Sequence, residues 1–151
     1  MNVDADVTFV DSNVLVYAYD ADAGWKHEVA RAELVRLWDT ESGVVSTQVL
    51  QEFYLTATRK LSRPLPRRAA REVVSTYRAW PLHRPESQDI VAASELEERH
   101  HVSFWDALII VSAQRSGAGV VLSEDLQAGR RFGDTLIANP FGIDKPEGRG
   151  K

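Results

Sequence analysis

The chain has 151 residues, 44% hydrophobic and 26% charged, the balance of a globular domain long enough to bury a core without staples. It contains no cysteine, which excludes disulfides, zinc–thiolate sites and thiol nucleophiles. Net charge is -4 with a pI near 5.6, which disfavours a partner held by bulk positive charge. No apolar run approaches the roughly 18 residues of a membrane span. The acidic start, MNVDADVTFVD, lacks a basic-then-apolar leader pattern, so a cytoplasmic location and no membrane partner are expected.

In chain order, the apolar run Val7 to Val10 predicts a strand. It stops at the cap residues Asp11, Ser12 and Asn13, and a short helix is expected from Val14 to Tyr19. Val29, Ala32, Leu34, Val35 and Leu37 recur at helical spacing, predicting a helix over Trp25 to Trp38. Gly43 to Val45 predicts a second strand. Val49, Leu50, Phe53, Tyr54, Ala57 and Leu61 mark the buried side of a helix over Thr47 to Leu61. Pro64 and Pro66 then bar helix continuation. Helical periodicity resumes over Arg67 to Arg78, a brief strand is expected at Trp80 to Leu82, and helices follow at Ser87 to Arg99 and Ser103 to Arg115. Val120 to Leu122 and Leu136 to Ala138 predict the last strands. Strands alternating with longer helices imply an α/β sandwich around a mostly parallel sheet. One domain over residues 1–143 and a disordered tail at 144–151 are expected.

Four acids fall near one edge of such a sheet. Strands end and the following helices begin there, and ligands gather where helix N–H groups are unpaired. Asp11 closes the first strand, Glu52 lies in the second turn of the helix after the second, and Asp125 follows the strand ending at Leu122. Asp106 opens a helix that another helix precedes. Each acid taken singly has a plainer explanation. Asp11 fits a helix cap, Ser103 to Asp106 fits a capping box, Asp125 after Glu124 suits a helix dipole, and Glu52 suits a solvated flank. However, Asp106 precedes the nearly all-apolar Ala107-Leu108-Ile109-Ile110-Val111, and Glu52 has Val49 and Leu55 as helical neighbours. No lysine or arginine stands next to either acid. A cluster of carboxylates without a cationic partner calls for a hard ion, and oxygen ligands alone select Mg²⁺ or Mn²⁺. Such ions suit phosphodiester hydrolysis.

FVDSNVLVYAYD, STQVLQEFY, SFWDALIIVSA, VVLSEDLQAG and IANPF together carry a family resemblance across nearly the whole chain. It resembles a PIN-domain ribonuclease, and more narrowly a VapC-type toxin of bacterial toxin–antitoxin pairs. The resemblance implies a PIN-like α/β/α sandwich and an Mg²⁺- or Mn²⁺-dependent endoribonuclease. It maps the family's four acidic positions onto Asp11, Glu52, Asp106 and Asp125. Asn13 matches the polar residue after the first aspartate, and Ser123 matches a hydroxyl that often binds the metal's water. It also implies an RNA substrate, a cognate antitoxin and a homodimer. Glu124 remains an alternative to Asp125 as a ligand.

Arg63, Arg67, Arg68 and Arg71 could hold RNA phosphates; a solvated helix face explains them equally. His100 and His101 point to a surface or satisfied core role, because a hard-ion site needs neither. Trp25, Trp38, Trp80 and Trp105 are expected in the core, with Trp105 of interest beside Asp106. Two other functions compete. A receiver-like regulatory module would need a supporting lysine, and Lys26, Lys60, Lys145 and Lys151 stand in no convincing place. A non-catalytic nucleic-acid-binding or partner-binding module would bind RNA without cleaving it.

Overall fold

The computed structural model describes residues 6–142; residues 1–5 and 143–151, including the expected tail, lie outside the described residues. Six strands form one sheet: β1 (Thr8–Val10), β2 (Gly43–Ser46), β3 (Leu82–His83), β4 (Val120–Leu122), β5 (Arg131–Phe132) and β6 (Thr135–Ala138). Their order is β3-β2-β1-β4-β6-β5. Every pairing is parallel except β5 with β6. Among the described residues, six α-helices flank the sheet: α1 (Ser12–Ala18), α2 (Trp25–Thr40), α3 (Thr47–Arg59), α4 (Arg67–Tyr77), α5 (Ser87–His100) and α6 (Phe104–Arg115).

Local chemistry sets these boundaries. Three helices open on a side chain that accepts a free N–H: Asp11 for α1, Ser46 for α3 and Ser103 for α6, the usual remedy for orphan donors at a helix start. α4 begins directly after Pro66, whose fixed φ suits the first turn. α3 ends at Arg59, short of the expected Leu61, as the chain bends toward Pro64 and Leu65 N–H turns back to the Ala57 carbonyl at 2.8 Å. The strand expected at Trp80 to Leu82 lies at Leu82–His83 instead. Trp80 is a buried packing residue whose indole covers the face of Gly43.

β5 was not expected. Arg131 and Phe132 pair with Thr135 and Leu136 across Gly133-Asp134, a two-residue hairpin loop whose Gly133 has φ 60°. A Gly-Asp pair is a hairpin signal, but the strand it begins is only two residues long.

The core runs through the sheet and the inner helix faces. Phe9, Leu15, Val45, Phe53, Ile110 and Ile137 are all essentially inaccessible, each contributing roughly 1.5–3 kcal/mol relative to exposure. α6 is buried from Ala107 through Ala113, as its apolar sequence requires. Tyr77, Trp38 and Trp80 form an aromatic cluster with ring centroids 4.9–5.4 Å apart. Trp105 departs from expectation: it sits in the first turn of α6, before the helix enters the core at Ala107, and is 62% exposed.

Candidate active site

β1 and β4 lie side by side in parallel, with Val10 opposite Leu122, and both end at the same edge. Asp11 N–H donates to the Leu122 carbonyl at 3.0 Å, and Ser123 N–H to that of Ala138 at 3.0 Å. The strand order runs outward from this pair in both directions, which makes it the switch point where α/β sheets place their ligands. Asp11 and Ser123 therefore meet although 112 positions separate them.

Two aspartates among the described residues are deeply buried, Asp11 and Asp89, and they are partnered in opposite ways. Asp89, at the start of α5, has a cation, Arg115 Nε at 2.9 Å, with His83 Nε2 at 3.0 Å and Glu86 N–H at 2.9 Å beside it. It pins β3, α5 and α6 together. Asp11 has neutral donors: Ser12 N–H at 2.8 Å, Ser123 Oγ–H at 2.7 Å and Asn13 Nδ2 at 3.2 Å. Burial pushes its carboxyl up to about 6; the Ser123 and Ser12 hydrogen bonds lower it in part, while the charges of Glu52 and Asp125 raise it further. A buried acid neutralised by no side chain is costly and marks a functional position.

Glu52 and Asp125 lie beside it, and Asp106 lies beside Asp125. Glu52, on α3, accepts from Ser12 Oγ at 2.9 Å and from Gln48 Nε2 at 3.0 Å. Asp125, exposed after β4, accepts from Asn13 Nδ2 at 3.2 Å. Asp106, half-buried at the start of α6, is also raised, first by burial and then by Asp125, against a lowering hydrogen bond from Ser103. Asp106 and Asp125 line one cleft with Ser103, Ile110 and Arg130. Asp106 N–H donates to Ser103 Oγ at 3.1 Å, which makes Ser103 the cap of α6.

Asn13 ties the cluster together. Its Nδ2 reaches Asp11, Asp125 and Ser123 Oγ at 3.2, 3.2 and 3.3 Å, and its Oδ1 accepts from Glu124 N–H at 2.9 Å. An amide, not a cation, thus joins two carboxylates here. In this arrangement no three His, Cys, Asp or Glu side chains among the described residues stand close enough to grip a metal ion. The donor set still fits a hard cation. All the candidate ligands are oxygens, Asp11 is bonded by neutral donors, and among the described residues Gln48 Oε1 is buried without a hydrogen-bond partner.

A family model of the PIN domain matches residues 8–131. The chain belongs to the PIN-domain family. Comparison with curated protein sequences finds no match. Among solved structures, the PIN domain is similar to VapC20 of Mycobacterium tuberculosis, described as a sarcin–ricin-loop-cleaving toxin: 21% identity over 78% of this chain and 91% of that one, TM-score 0.62. A toxin–antitoxin complex from Klebsiella pneumoniae gives 14% identity, 90% and 99% coverage and a TM-score of 0.66. VapBC2 from Rickettsia felis, bound to a DNA fragment from its promoter, gives 14%, 87% and 97%, and 0.63. At such identities the likeness is one of fold.

The remaining residues singled out from sequence are spread over this PIN domain. Glu124 faces away from Asp11 and pairs with Lys26 and Tyr17. Arg63 is held by both carboxylate oxygens of Asp22, at 2.8 and 2.6 Å, whereas Arg67, Arg68 and Arg71 are exposed along α4. His100 packs edge-on against Phe132, and His101 ends α5 in the left-handed conformation. Leu55, taken as apolar cover for Glu52, is 43% exposed. Gln48, a polar neighbour that was not anticipated, holds Glu52 instead. One amide of this buried residue reaches both Glu52 and the Trp105 carbonyl, the latter at 3.3 Å. The available signal was its i, i+4 spacing to Glu52 on one helix face. Among the described residues no helix is long and apolar enough to cross a membrane.

Proposed function

We propose that this PIN domain is a divalent-metal-dependent endoribonuclease of the VapC type, a cytoplasmic, homodimeric toxin restrained by a cognate antitoxin. The observation that carries the chemistry is Asp11: a carboxylate buried at the sheet's switch point, beside Glu52 and Asp125, with neutral partners where Asp89 has Arg115. The toxin reading rests on family membership and on fold similarity to proteins described as a toxin and as toxin–antitoxin complexes.

Asp11 and Asp106 would be the principal ligands of Mg²⁺ or Mn²⁺, with Glu52 and Asp125 completing the site or orienting the attacking water. The ion supplies Lewis acidity toward the phosphodiester and its nucleophile. Ser123 and Asn13 hold the Asp11 carboxylate in register with Asp125, and Ser12 and Gln48 do the same for Glu52. Arg67, Arg68 and Arg71 contribute sequence-independent phosphate contacts.

RNA cleavage with Mg²⁺ or Mn²⁺ by wild type and Asp106→Asn tests the assignment. Wild-type cleavage abolished by chelation and by the substitution is expected; equal cleavage by both proteins would sink it. Persistent RNA binding without cleavage under either metal would favour a binding module instead.

A further inference from the structure

Beside the acidic cluster lies an arrangement that the proposed chemistry does not use. Glu124 stands between Ser123 and Asp125, yet its carboxylate leaves the cluster. Oε1 accepts from Tyr17 Oη at 2.6 Å, and Oε2 pairs with Lys26 Nζ. The ammonium group lies 5.1, 5.6 and 5.9 Å from the ring centroids of Tyr17, Phe141 and Trp25, within the range of cation–π attraction. Phe141 meets Tyr17 and Trp25 edge-on at 5.1 and 6.1 Å, so the rings brace one another. The box draws on α1, the start of α2, the turn after β4 and the segment after β6. Lys26 and Glu124 side chains are only 29% and 24% exposed, so the pair is shielded more than an ordinary surface ion pair.

The same turn is anchored on its other side. Glu124 N–H donates to Asn13 Oδ1 at 2.9 Å, and the Asp125 and Leu126 N–H groups donate to Ser123 Oγ at 3.1 and 3.2 Å. Asp125 itself is exposed, and its carboxylate accepts from Asn13 Nδ2 at 3.2 Å. Its position is set by the residues before it, which Asn13 and Ser123 fix from the site side and Glu124 from the far side. Lys26 also compensates a negative charge next to the cluster that would otherwise repel Asp125 and compete with it.

We propose that Lys26, boxed by Tyr17, Trp25 and Phe141 and paired to Glu124, positions Asp125 for metal binding, so that Glu124 is a positioning residue and not a ligand. This rests on reading the cluster as a divalent-cation site. The test compares wild type, Lys26→Met, Glu124→Gln and the double variant by two measurements. The first is amide hydrogen exchange at Glu124, Asp125 and Leu126 in metal-free protein, with Val121 and Ile137 as references. The second is Mn²⁺ affinity by calorimetry.

Both single variants are expected to speed exchange at the three turn amides and spare the references. Both weaken Mn²⁺ binding by about tenfold, as losses around a metal's ligands do. The double variant is no worse than either single one, and Lys26→Arg recovers part of the affinity. Weakened Mn²⁺ binding in Glu124→Gln with wild-type behaviour in Lys26→Met would make Glu124 a ligand and overturn the proposal. Unchanged exchange in both variants would overturn it too. If wild type binds no Mn²⁺, the metal reading falls, and the exchange measurement alone decides whether the pair positions the turn.

Discussion

Asp11 performs two tasks that conflict in the metal-free protein. One carboxylate oxygen caps α1 through Ser12 N–H, and the whole group is buried beside two other acids. Its carboxyl titrates near 6 in the folded chain against an ordinary value of 3.8. The folded state therefore holds a proton that the unfolded state has released between about pH 4 and 6, and stability falls as pH rises through that window. The difference amounts to roughly 3 kcal/mol at neutral pH, and the raised Asp106 adds to it with the same sign. Thermal unfolding in chelator should show Tm decreasing from pH 4 to pH 7. Asp11→Asn should flatten that slope whatever it does to absolute Tm, and Mn²⁺ should restore stability at pH 7 in wild type only. A Tm that rises with pH in chelator would contradict the burial argument. Asp106→Asn should also fold, and gain stability without metal, because it removes one of the repelling charges; urea unfolding at pH 7 measures this directly.

At the scale of elements, most of the helices were legible because their apolar periodicity and caps agree. α6 is the clearest instance, with Ser103 as cap and Ala107 to Ala113 buried. Of the short edge strands, β3 was expected slightly too early in the chain and β5 not at all, because two residues carry no period. β3 is placed by its parallel register with Val45 and Ser46, and β5 by a Gly-Asp turn. β2 shows what such placement demands. A Cβ on Gly43 would lie 2.5 Å from the Trp80 ring, and that ring is itself wedged against Trp38 and Tyr77. The indole has no free side to retreat to. Gly43→Ala should cost about 1–3 kcal/mol, the usual range for overpacking, as a lower urea midpoint with an unchanged m-value. A neutral result would mean that the aromatic cluster is looser than its ring spacing implies.

Over the whole molecule, net charge is -4, while Arg67, Arg68 and Arg71 form an exposed basic row on α4. If that row guides RNA, its contribution is electrostatic and screened by salt. Affinity for single-stranded RNA should fall steeply with salt, and Arg67→Glu with Arg68→Glu should weaken binding and flatten the salt slope. An unchanged slope would return the row to a solvated helix face. The sequence by itself determined the fold class and offered an all-oxygen set of acids near one sheet edge, because periodicity and residue type are local properties. Only the tertiary structure shows that Glu124 turns to Lys26 and Tyr17 while Asp125 meets Asn13. Adjacent residues in a turn point apart, and which one meets the site depends on Lys26 and Asn13, about 100 positions away in the chain. The same holds for Asp11 and Asp89: both are aspartates at helix starts, and only the packed neighbours show Arg115 beside Asp89 and neutral donors around Asp11. Asp11 was visible as a strand-ending acid, but its burial against Ser123 exists only once β1 and β4 lie side by side.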